Sequence, residues 1–445
     1  LNSLNEIKEP ASTNGYTIHL TESYFIGDGR FANNGWLQEL PHPVTKITWD
    51  NYASISQNTA SKLNIEINDL VEIELSNRKI ILPALIQPGM TDDTIHIELG
   101  YGRKVIGEAG SDAGFNAINL MTKENSLSLY IFTNASIKKA EGKYILASTQ
   151  EHHLLSDKFV KDFHRIRKII QEGTIIKYEK EPDFLHKEKH ELFSITREHK
   201  FEGVKWAMAI DLNKCTACNA CVASCNVENN VPVVGKDQVL LGREMQWIRI
   251  DRYYSGTDDE PIVSNQPMLC QHCDNAPCEN VCPVNATNHS PDGLNQMVYN
   301  RCVGTRYCSN NCPYKVRRFN FYNFRDHFAN SYYENDLTSL VYNPEVTVRS
   351  RGVMEKCTFC IQRIMEARSN AIKDGKELKG SDVVTACQQA CPSNAIIFGD
   401  MNDPNSEISK LRKHNLAYHV LEELNVKPNV TYIAKLRNIH SEEIE

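Results

Sequence analysis

The sequence lacks long apolar runs. Its longest apolar stretches, such as the segment from Ile80 to Ile86 that contains Pro83, fall far short of the roughly 20 residues that a membrane-spanning helix needs. We therefore expect that the chain itself does not cross a bilayer. It also lacks an excess of positive charge, because 49 Lys and Arg are set against 56 Asp and Glu, for a formal net charge of -7. This balance disfavours a nucleic acid as the main partner.

Cysteine is absent from both ends of the chain. All 15 cysteines lie between Cys215 and Cys391. Such a local density indicates either a disulfide framework or a metal-thiolate domain. The odd number disfavours complete disulfide pairing, and cysteines separated by two residues are poorly placed to bridge each other.

The spacing of the cysteines helps to distinguish these possibilities. Four runs are present: Cys215, Cys218, Cys221 and Cys225; Cys270, Cys273, Cys278 and Cys282; Cys302, Cys308 and Cys312; and Cys357, Cys360, Cys387 and Cys391. Three thiolates spaced by two residues can surround one side of a four-iron cluster, whereas the cysteine three residues later begins a helix and serves a neighbouring cluster. Runs that exchange their last cysteines occur in pairs, so four runs predict two pairs.

Other cysteine chemistries fit this pattern less well. A structural zinc site needs only two C-x2-C pairs, so a third close cysteine followed by Cys-Pro is superfluous for it. Covalent haem needs C-x-x-C-H, and the residues that follow the C-x-x-C pairs are Asn219, Val222, Asp274 and Ile361. We therefore expect no covalently attached haem.

The third run departs from the others. Thr305 stands where the first run has its second cysteine, and a threonine hydroxyl is a poor ligand for iron. Three sites of four cysteines and one site of three use all 15 cysteines. The sequence therefore predicts three 4Fe-4S clusters and one 3Fe-4S cluster, although ligation of a fourth iron by Thr305 or by water stays open.

The region before the cysteines has the pattern of a β-rich domain. Apolar and polar residues alternate from Val71 to Leu75 and from Ile95 to Leu99, between turns that contain Gly and Pro. The segment from Ser54 to Leu63 is predicted to be a short helix. Strands are expected from about residue 39 to 121, and more weakly to about residue 148.

Composition divides the rest of the chain. Residues 154–203 are rich in Lys, Glu and His without sustained periodicity, which is typical of a surface connection. A helix from Ser406 to Leu424, capped by Ser406, is expected to dock on the domain before it. We predict an α+β multidomain protein with a β-rich domain in residues 1–153, a linker in 154–203, a four-cluster ferredoxin-type domain in 204–400 and a docking tail in 401–445.

Two parts of the chain resemble known families. Residues 270–287 and 300–314, which include Cys270-Gln271-His272-Cys273 and Arg301-Cys302-Val303-Gly304-Thr305, resemble the four-cluster ferredoxin subunits of the molybdopterin oxidoreductase group. The N-terminal region resembles the last domain of the catalytic subunit of that group through Trp49, Asn51, Gly100-Tyr101-Gly102 and Asn116, although Asn64 stands where a glycine is common. The implied fold is a β-barrel like the domain that closes over a pterin dinucleotide, followed by a double bacterial-ferredoxin-type domain.

The fusion of both domains on one chain, together with Thr305, is similar to the iron-sulfur subunit of alternative complex III. That resemblance implies a redox subunit of a quinol:acceptor oxidoreductase, without a substrate site of its own, that passes electrons from quinol toward c-type haems or a terminal oxidase. The implied partners are an integral-membrane quinol-binding subunit, c-type cytochrome subunits and further subunits of a respiratory complex. The implied location is peripheral to the bacterial inner membrane, on its periplasmic side.

The resemblance also implies four ligand sets, which we call sets A to D. Set A is Cys215, Cys218, Cys221 and Cys391; set B is Cys225, Cys357, Cys360 and Cys387; set C is Cys270, Cys273, Cys278 and Cys312; set D is Cys282, Cys302 and Cys308. Sets A, B and C would each hold a 4Fe-4S cluster, and set D would hold the 3Fe-4S cluster. Because every cysteine is used, none remains to ligate molybdenum, and we expect no molybdopterin.

Basic and aromatic residues accompany the third run. They are Arg301, Arg306, Lys315, Arg317, Arg318 and Arg325, with Tyr307, Tyr314, Phe319, Phe321 and Tyr322. Positive charge near a cluster favours its reduced form, and arginines and aromatic rings are common at interfaces. We therefore predict that set D is the first acceptor of electrons from quinol and lies nearest the membrane partner, although the same residues could form a solvated face or pack the domain core.

Two other functions stay open at this point. The clusters could connect an active molybdopterin oxidoreductase to its partner, with polysulfide or formate as substrate, in which case the N-terminal barrel would bind a real pterin. They could also be structural staples of an interaction module without redox activity. Molybdenum and pterin in the purified complex would favour the first of these functions, and c-type haem without molybdenum would favour quinol oxidation.

Overall fold

The chain forms two compact units in the computed structural model, which describes residues 15–123, 126–128, 130–150, 168–186, 192–194, 199–324 and 340–438. The barrel unit comprises Leu1–Leu155, Gly235–Gly242 and Tyr254–Ile262. The cysteine unit comprises Ser156–Val234, Arg243–Tyr253 and Val263–Glu445, and it contains all 15 cysteines. The four-part division expected from the sequence stays a prediction.

A closed ring of strands forms the barrel unit. Its strands are β1 (Tyr16–Thr21), β2 (Ile47–Thr48), β3 (Ala53–Ile55), β4 (Asp69–Leu75), β5 (Arg78–Ile86), β6 (Thr94–Glu98), β7 (Ser126–Ser128), β8 (Ile131–Lys143) and β9 (Ala147–Ser148). The main sheet has the order β1-β6-β3-β5-β4-β8-β7, and β1 also pairs with β8, which closes the ring. Strands β2 and β9 pair separately. The expected barrel-like sheet is confirmed, whereas its likeness to a pterin-binding domain stays a prediction.

Alternation along the strands directs apolar side chains into the ring. In β4, Val71, Ile73 and Leu75 are fully buried, and the residues between them are partly exposed. This is the period-two pattern of a strand with one buried face. Strand β4 runs antiparallel to β5, where Val71 lies opposite Leu82 in the same core. The two strands predicted from alternation are confirmed as parts of β4 and β6.

Short helices accompany the strands of the barrel unit. They are α1 (Gly35–Glu39) and α2 (Gln57–Leu63), with a 3-10 turn at Ala117–Leu120.

The helix predicted at Ser54–Leu63 is confirmed from Gln57 onward and wrong before it, because the preceding residues belong to β3. Helix α2 begins after Ser56, whose Oγ accepts a hydrogen bond from the Thr59 N–H at 3.0 Å. It ends at Asn64, whose φ of 52° is left-handed. Asparagine tolerates this conformation better than other side chains, so it can stand where the related family often has glycine.

The cysteine unit consists of short elements joined by turns. Its strands, including a hairpin whose tip belongs to the barrel unit, are β10 (Glu172–Thr174), β11 (Trp206–Asp211), β12 (Arg249–Gly256), β13 (Pro261–Met268), β14 (Thr287–His289), β15 (Asn295–Met297), β16 (Arg318–Phe319), β17 (Met354–Glu355), β18 (Ile396–Asp400), β19 (Ala417–Tyr418), β20 (Val430–Ile433) and β21 (Lys435–Arg437). The remaining helices are α3 (Ile175–Lys180), α4 (Ala220–Glu228), α5 (Lys236–Leu240, in the barrel unit), α6 (Pro277–Asn280), α7 (Tyr307–Asn310), α8 (Ile361–Lys373), α9 (Ala386–Gln389) and α10 (Glu407–Arg412). The 3-10 turns are Phe184–His186, Tyr299–Arg301, Gly380–Asp382 and Glu422–Leu424.

A four-stranded sheet supports one side of the cysteine unit. Its order is β18-β11-β20-β19, and β11 runs antiparallel to β18 and parallel to β20. Trp206 of β11 is fully buried and stacks on Phe398 of β18 with ring centroids 5.1 Å apart. Within the residues described, no helix combines the length and the apolar character that crossing a bilayer requires.

The tail differs from the long helix expected between Ser406 and Leu424. The predicted cap is confirmed, because Ser406 Oγ accepts a hydrogen bond from the Ser409 N–H at 3.2 Å and α10 starts at the next residue. The helix ends at Arg412, however, and the expectation beyond it is wrong. Beyond the helix the chain forms β19, whose Ala417 and Tyr418 pair antiparallel with β20, and then a 3-10 turn at Glu422–Leu424.

Candidate iron-sulfur sites

The four cysteine runs repeat one backbone conformation. The residue two positions after the first cysteine of each run has a positive φ, and these residues are Ala217 (58°), His272 (44°), Gly304 (71°) and Phe359 (56°). The second cysteine follows directly in three runs, and Thr305 follows in the other. Thr305 therefore occupies the place of a second cysteine on an equivalent loop.

The first and third runs also agree in the following residues. Asn219 and Arg306 both have a φ of 62°, and each directly precedes a helix, which is α4 in the first run and α7 in the third. Cys221 and Cys308 lie in the first turns of these helices. The two loops thus present their cysteines in the same way, and they differ in the residue at the second ligand position.

A second repeated turn follows the three Cys-Pro pairs. Three residues after each of these cysteines the chain is left-handed again, at Asn285, Lys315 and Asn394. In two of these turns a backbone N–H is aimed at sulfur, because Ala286 donates to Cys282 Sγ and Ala395 donates to Cys391 Sγ, both at 3.2 Å. Such bonds favour the thiolate, which is the form of cysteine that binds iron.

The same turns lower the pKa of two predicted ligands. Burial raises the pKa of Cys282, but backbone N–H groups of the turn, of which Val284 contributes most, outweigh it and hold the pKa below its ordinary value. Burial also opposes the thiolate of Cys391, and the N–H of Ala395 is the largest of the contributions that lower its pKa. These two cysteines are prepared by the fold to carry negative charge.

Sets C and D each line one cavity. The first cavity is surrounded by Cys270, Cys273, Cys278 and Cys312, and the second by Cys282, Cys302 and Cys308, with Thr305 in its wall. Helices α6 and α7, which carry Cys278 and Cys308, contact each other. The structure therefore brings together the residues predicted to share each of these sets.

Sets A and B converge in the same way. Burial comes first among the causes that raise the pKa of Cys221 and Cys225 well above the ordinary value, and neighbouring thiols follow. For Cys221 these thiols are Cys387, Cys215, Cys218 and Cys391, and for Cys225 they are Cys357, Cys360, Cys387 and Cys221. Three of the four neighbours belong to the same predicted set in each case, and the fourth joins sets A and B.

The donor chemistry of these sets fits iron-sulfur clusters. All 15 cysteines are free of disulfides. Across the described ranges, no three side chains of His, Cys, Asp or Glu converge closely enough to hold a single metal ion. Burial raises the pKa of Cys278 to about 12, and binding of iron would displace its proton, because a coordinating thiol is deprotonated. The assignment of individual cysteines as ligands stays a prediction that this arrangement supports.

The basic group around the third run separates into two parts. Arg301, Arg306 and Lys315 are exposed, whereas Arg317 is buried inside the unit. Arg318 is paired with Glu244 at 2.8 Å. Arg317 therefore packs in the domain core, which is one of the alternatives left open by the sequence.

The aromatic residues of that group separate as well. Tyr307 is exposed, but Tyr314 is buried and donates its hydroxyl to the Val420 carbonyl at 3.0 Å. Phe319, Phe321 and Tyr322 are partly buried. Arg325, which was named in the same basic group, lies outside the described residues.

The sequence reasoning missed the buried cation Lys356. It directly precedes the fourth run and is fully buried. Its ammonium donates to the carbonyl oxygens of Asn295 and Cys357. A lysine next to a predicted ligand was the signal that could have found it.

Models of known families match the cysteine-rich region. One 4Fe-4S dicluster domain matches residues 199–286, and another 4Fe-4S dicluster domain matches residues 263–327. The chain is 39% identical over 237 residues to the menaquinone reductase iron-sulfur cluster-binding subunit of Nitratidesulfovibrio vulgaris, which covers 52% of this chain and 89% of that protein. It is 36% identical over 253 residues to the Hdr-like menaquinol oxidoreductase iron-sulfur subunit 1 of Archaeoglobus fulgidus, which covers 52% of this chain and 84% of that protein.

Cysteine geometry and these matches together define an iron-sulfur protein with dicluster ferredoxin domains. The chain belongs to the family of ferredoxin-type iron-sulfur subunits of reductase complexes. Among solved structures, the acetylene hydratase of Pelobacter acetylenicus covers 28% of this chain at 14% identity and a TM-score of 0.23, a likeness too low to support an argument about fold.

Proposed function

We propose that the chain is the electron-transfer subunit of a membrane-associated, quinol-oxidising respiratory complex similar to alternative complex III. Bound clusters would supply one-electron redox chemistry at sets A to D. The single observation that carries this proposal is the arrangement of the thiols in four neighbouring groups, one of which has Thr305 in the place of a ligand. The membership in a family of iron-sulfur subunits supports the same function.

The four sets form a continuous series. After burial, Cys387 of set B is among the causes that raise the pKa of Cys221 in set A. In the same way, Cys270 of set C is among the causes that raise the pKa of Cys357 in set B. Arg317 links sets C and D at the other end of the series. Burial lowers the pKa of its guanidinium, and Cys278 of set C and Cys308 of set D raise it. The order D, C, B, A supports a path along which electrons pass from one end of the cysteine unit to the other.

Set D is the proposed first acceptor of electrons from quinol. Thr305 and Tyr307 beside it are exposed, and the guanidinium of Arg306 lies over the Phe319 ring at 4.9 Å. Exposed arginine and aromatic side chains suit a partner interface. The proposed partner at this face is an integral-membrane quinol-binding subunit, and the proposed acceptors are c-type cytochrome subunits on the periplasmic side of the inner membrane.

Metal and cofactor analysis of the purified complex tests this function. We expect about fifteen irons in this chain, from three 4Fe-4S clusters and one 3Fe-4S cluster, together with c-type haem in the complex and no molybdenum. An iron content near four, or stoichiometric zinc, would overturn the assignment of the clusters.

A second candidate is the electron-transfer subunit of an active molybdopterin oxidoreductase. The names of further relatives favour it: a putative iron-sulfur subunit of the dimethyl sulfoxide reductase of Halobacterium salinarum is 35% identical, and a subunit of the tetrathionate reductase of Salmonella typhimurium is 31% identical. The same analysis separates the two functions. Molybdenum with a pterin dinucleotide in the complex, and no c-type haem, would support the second one.

We propose that the barrel unit itself binds no pterin. Its family-like side chains are engaged within the unit, because Trp49 donates to Glu39 at 3.3 Å and the Asn51 amide donates to the carbonyls of Glu98 and Phe115 at 2.7 and 2.9 Å. A pterin dinucleotide found against residues 39–121 in a purified sample would refute this part of the proposal.

A further inference from the structure

Two positive charges lie inside the cysteine unit without a carboxylate partner among the described residues. Arg317 is 4% exposed, and Lys356 is fully buried. Arg317 donates to Cys278 Sγ at 3.3 Å and to Thr287 Oγ1 at 2.6 Å, and it also contacts Asn295 Oδ1 at 3.4 Å. These partners are a thiol, a hydroxyl and an amide oxygen, and none of them is a carboxylate.

Two other arginines of the same unit, one buried and one partly buried, are neutralised directly. Arg349 pairs with Glu355 at 2.6 Å, and Arg437 pairs with Glu172 at 2.7 Å. A buried charge without such a partner costs several kcal/mol, so the folded state needs a negative charge close to Arg317. The contacts of Arg317 reach two of the predicted cluster sites, because Cys278 belongs to set C and Thr287 lines the cavity of set D.

We propose that Arg317 is an electrostatic tuning residue shared by sets C and D. Its guanidinium contacts Cys278 of set C and Thr287 in the wall of the set D cavity, which places one fixed positive charge next to both cluster sites. Such a charge stabilises the added electron on either cluster and therefore raises both reduction potentials. The inference deepens the proposed function and rests on its ligand sets.

The neighbouring Lys356 provides an internal comparison. Its ammonium donates to the carbonyl oxygen of Cys357 in set B at 2.9 Å and to the carbonyl oxygen of Asn295, which lines the cavity of set C. Loss of its charge therefore changes the potentials of sets B and C and leaves set D unchanged. Loss of the Arg317 charge, by contrast, changes sets C and D together.

The test is an EPR-monitored redox titration of the whole protein, because 3Fe-4S and 4Fe-4S clusters are paramagnetic in different oxidation states. Arg317→Gln keeps hydrogen-bond donors and removes the charge, and Arg317→Lys keeps the charge. In the glutamine variant we expect the equilibrium constant for reduction of the set D cluster to fall about tenfold, which is about 59 mV for one electron. The lysine variant should change it less than about threefold, or about 28 mV.

Two control variants help to decide among the outcomes. Lys356→Gln should leave the set D potential unchanged, and Arg437→Met, which removes a partly buried arginine from an ion pair, should change neither the set C nor the set D potential. Unchanged potentials in Arg317→Gln at full iron content would overturn the inference while leaving the clusters and the proposed function intact. An equal loss of iron from the lysine and glutamine variants would also overturn it, by giving Arg317 a purely steric role. A wild-type chain without clusters would overturn the proposed function itself.

Discussion

The two units of the chain reach their folded states by different means. The barrel unit buries an aliphatic core that includes Ile18, Val71 and Ile97, and each of these side chains is fully buried. The centre of the cysteine unit holds thiols with raised pKa values, together with Arg317 and Lys356, which have no carboxylate partner in the part of the chain that the structure describes. The comparison predicts that hydrophobic burial is sufficient for the first unit, whereas the second depends on the charge and the cross-links that metal clusters would supply.

Removal of iron should produce the largest difference between the two units. We expect anaerobic chelation of iron from the whole chain to unfold the cysteine unit, because buried thiols and cations lose the groups that neutralise them, and to leave the barrel unit folded. Limited proteolysis with mass spectrometry should then show protection of residues 15–150 together with Gly235–Gly242 and Tyr254–Ile262, the other segments of the barrel unit. A chelated chain that resists digestion throughout, or one that is digested throughout, would contradict this expectation.

A substitution in the core of the barrel unit should affect the barrel unit alone. Leu82 is fully buried in β5, so Leu82→Ala should lower the free energy of unfolding of the barrel unit by about 2–5 kcal/mol. The matched control is its neighbour Ile81, which is 47% exposed, and Ile81→Ala should cost less than about 1 kcal/mol. Denaturation followed by circular dichroism measures the effect, and iron content should equal that of the wild type. Loss of iron from Leu82→Ala would show that the two units are not independent.

A buried carboxyl should give the barrel unit a pH response. Burial raises the pKa of Glu98 to about 7 from 4.5, so the folded state binds more protons than the unfolded state between these pH values. The free energy of unfolding therefore falls as pH rises through this window, by roughly 3 kcal/mol in total. Burial lowers the pKa of His42 to about 4, and this group acts in the opposite direction up to about pH 6.5.

Glu98→Gln removes the first of these two effects. The variant should match the wild type near pH 4 and be the more stable protein near pH 7.5, as measured by denaturant unfolding at both pH values. The exposed Glu108→Gln substitution serves as the control and should keep the wild-type profile. A Glu98→Gln variant whose stability changes equally at both pH values would show that its effect is steric.

Thr305→Cys should have the smallest effect on the fold and a clear effect on chemistry. Its loop already has the backbone of the first run, so the new thiol should complete a fourth 4Fe-4S site, raise the iron content from about fifteen to about sixteen and lower the potential of that centre. Quinol-driven turnover of the assembled complex should slow. Thr305→Ser keeps the hydroxyl and should behave like the wild type. Unchanged turnover after spectroscopy has confirmed the conversion would mean that set D does not control the arrival of electrons.

Local patterns predicted the parts of the fold that depend on neighbouring residues. Alternation located β4 and β6, because period two is a local property of a strand that has one buried face. Helical spacing failed in the tail. There β19 pairs with β20 from farther along the chain, and this tertiary contact overrides the local pattern.

The same distinction applies to the candidate site. Cysteine spacing together with family resemblance grouped the thiols that the structure brings together, and Thr305 was identified from its position in the run. The burial of Arg317 could not be predicted, because it depends on Thr287, Asn295 and Cys278, which lie in other segments of the chain. A charged residue near a run can equally face water, and only the tertiary structure separates the two cases.

The turns after Cys282 and Cys391 also contain two amide hydrogens whose exchange with solvent can report on the state of the cysteine unit. The amide hydrogens of Ala286 and Ala395 point at sulfur, so their exchange with deuterated solvent requires opening of the turn. Slow exchange at these two positions would track the integrity of sets D and A separately, even when both clusters have the same colour. Cluster damage at one end of the series would then register as deuterium uptake at a single alanine.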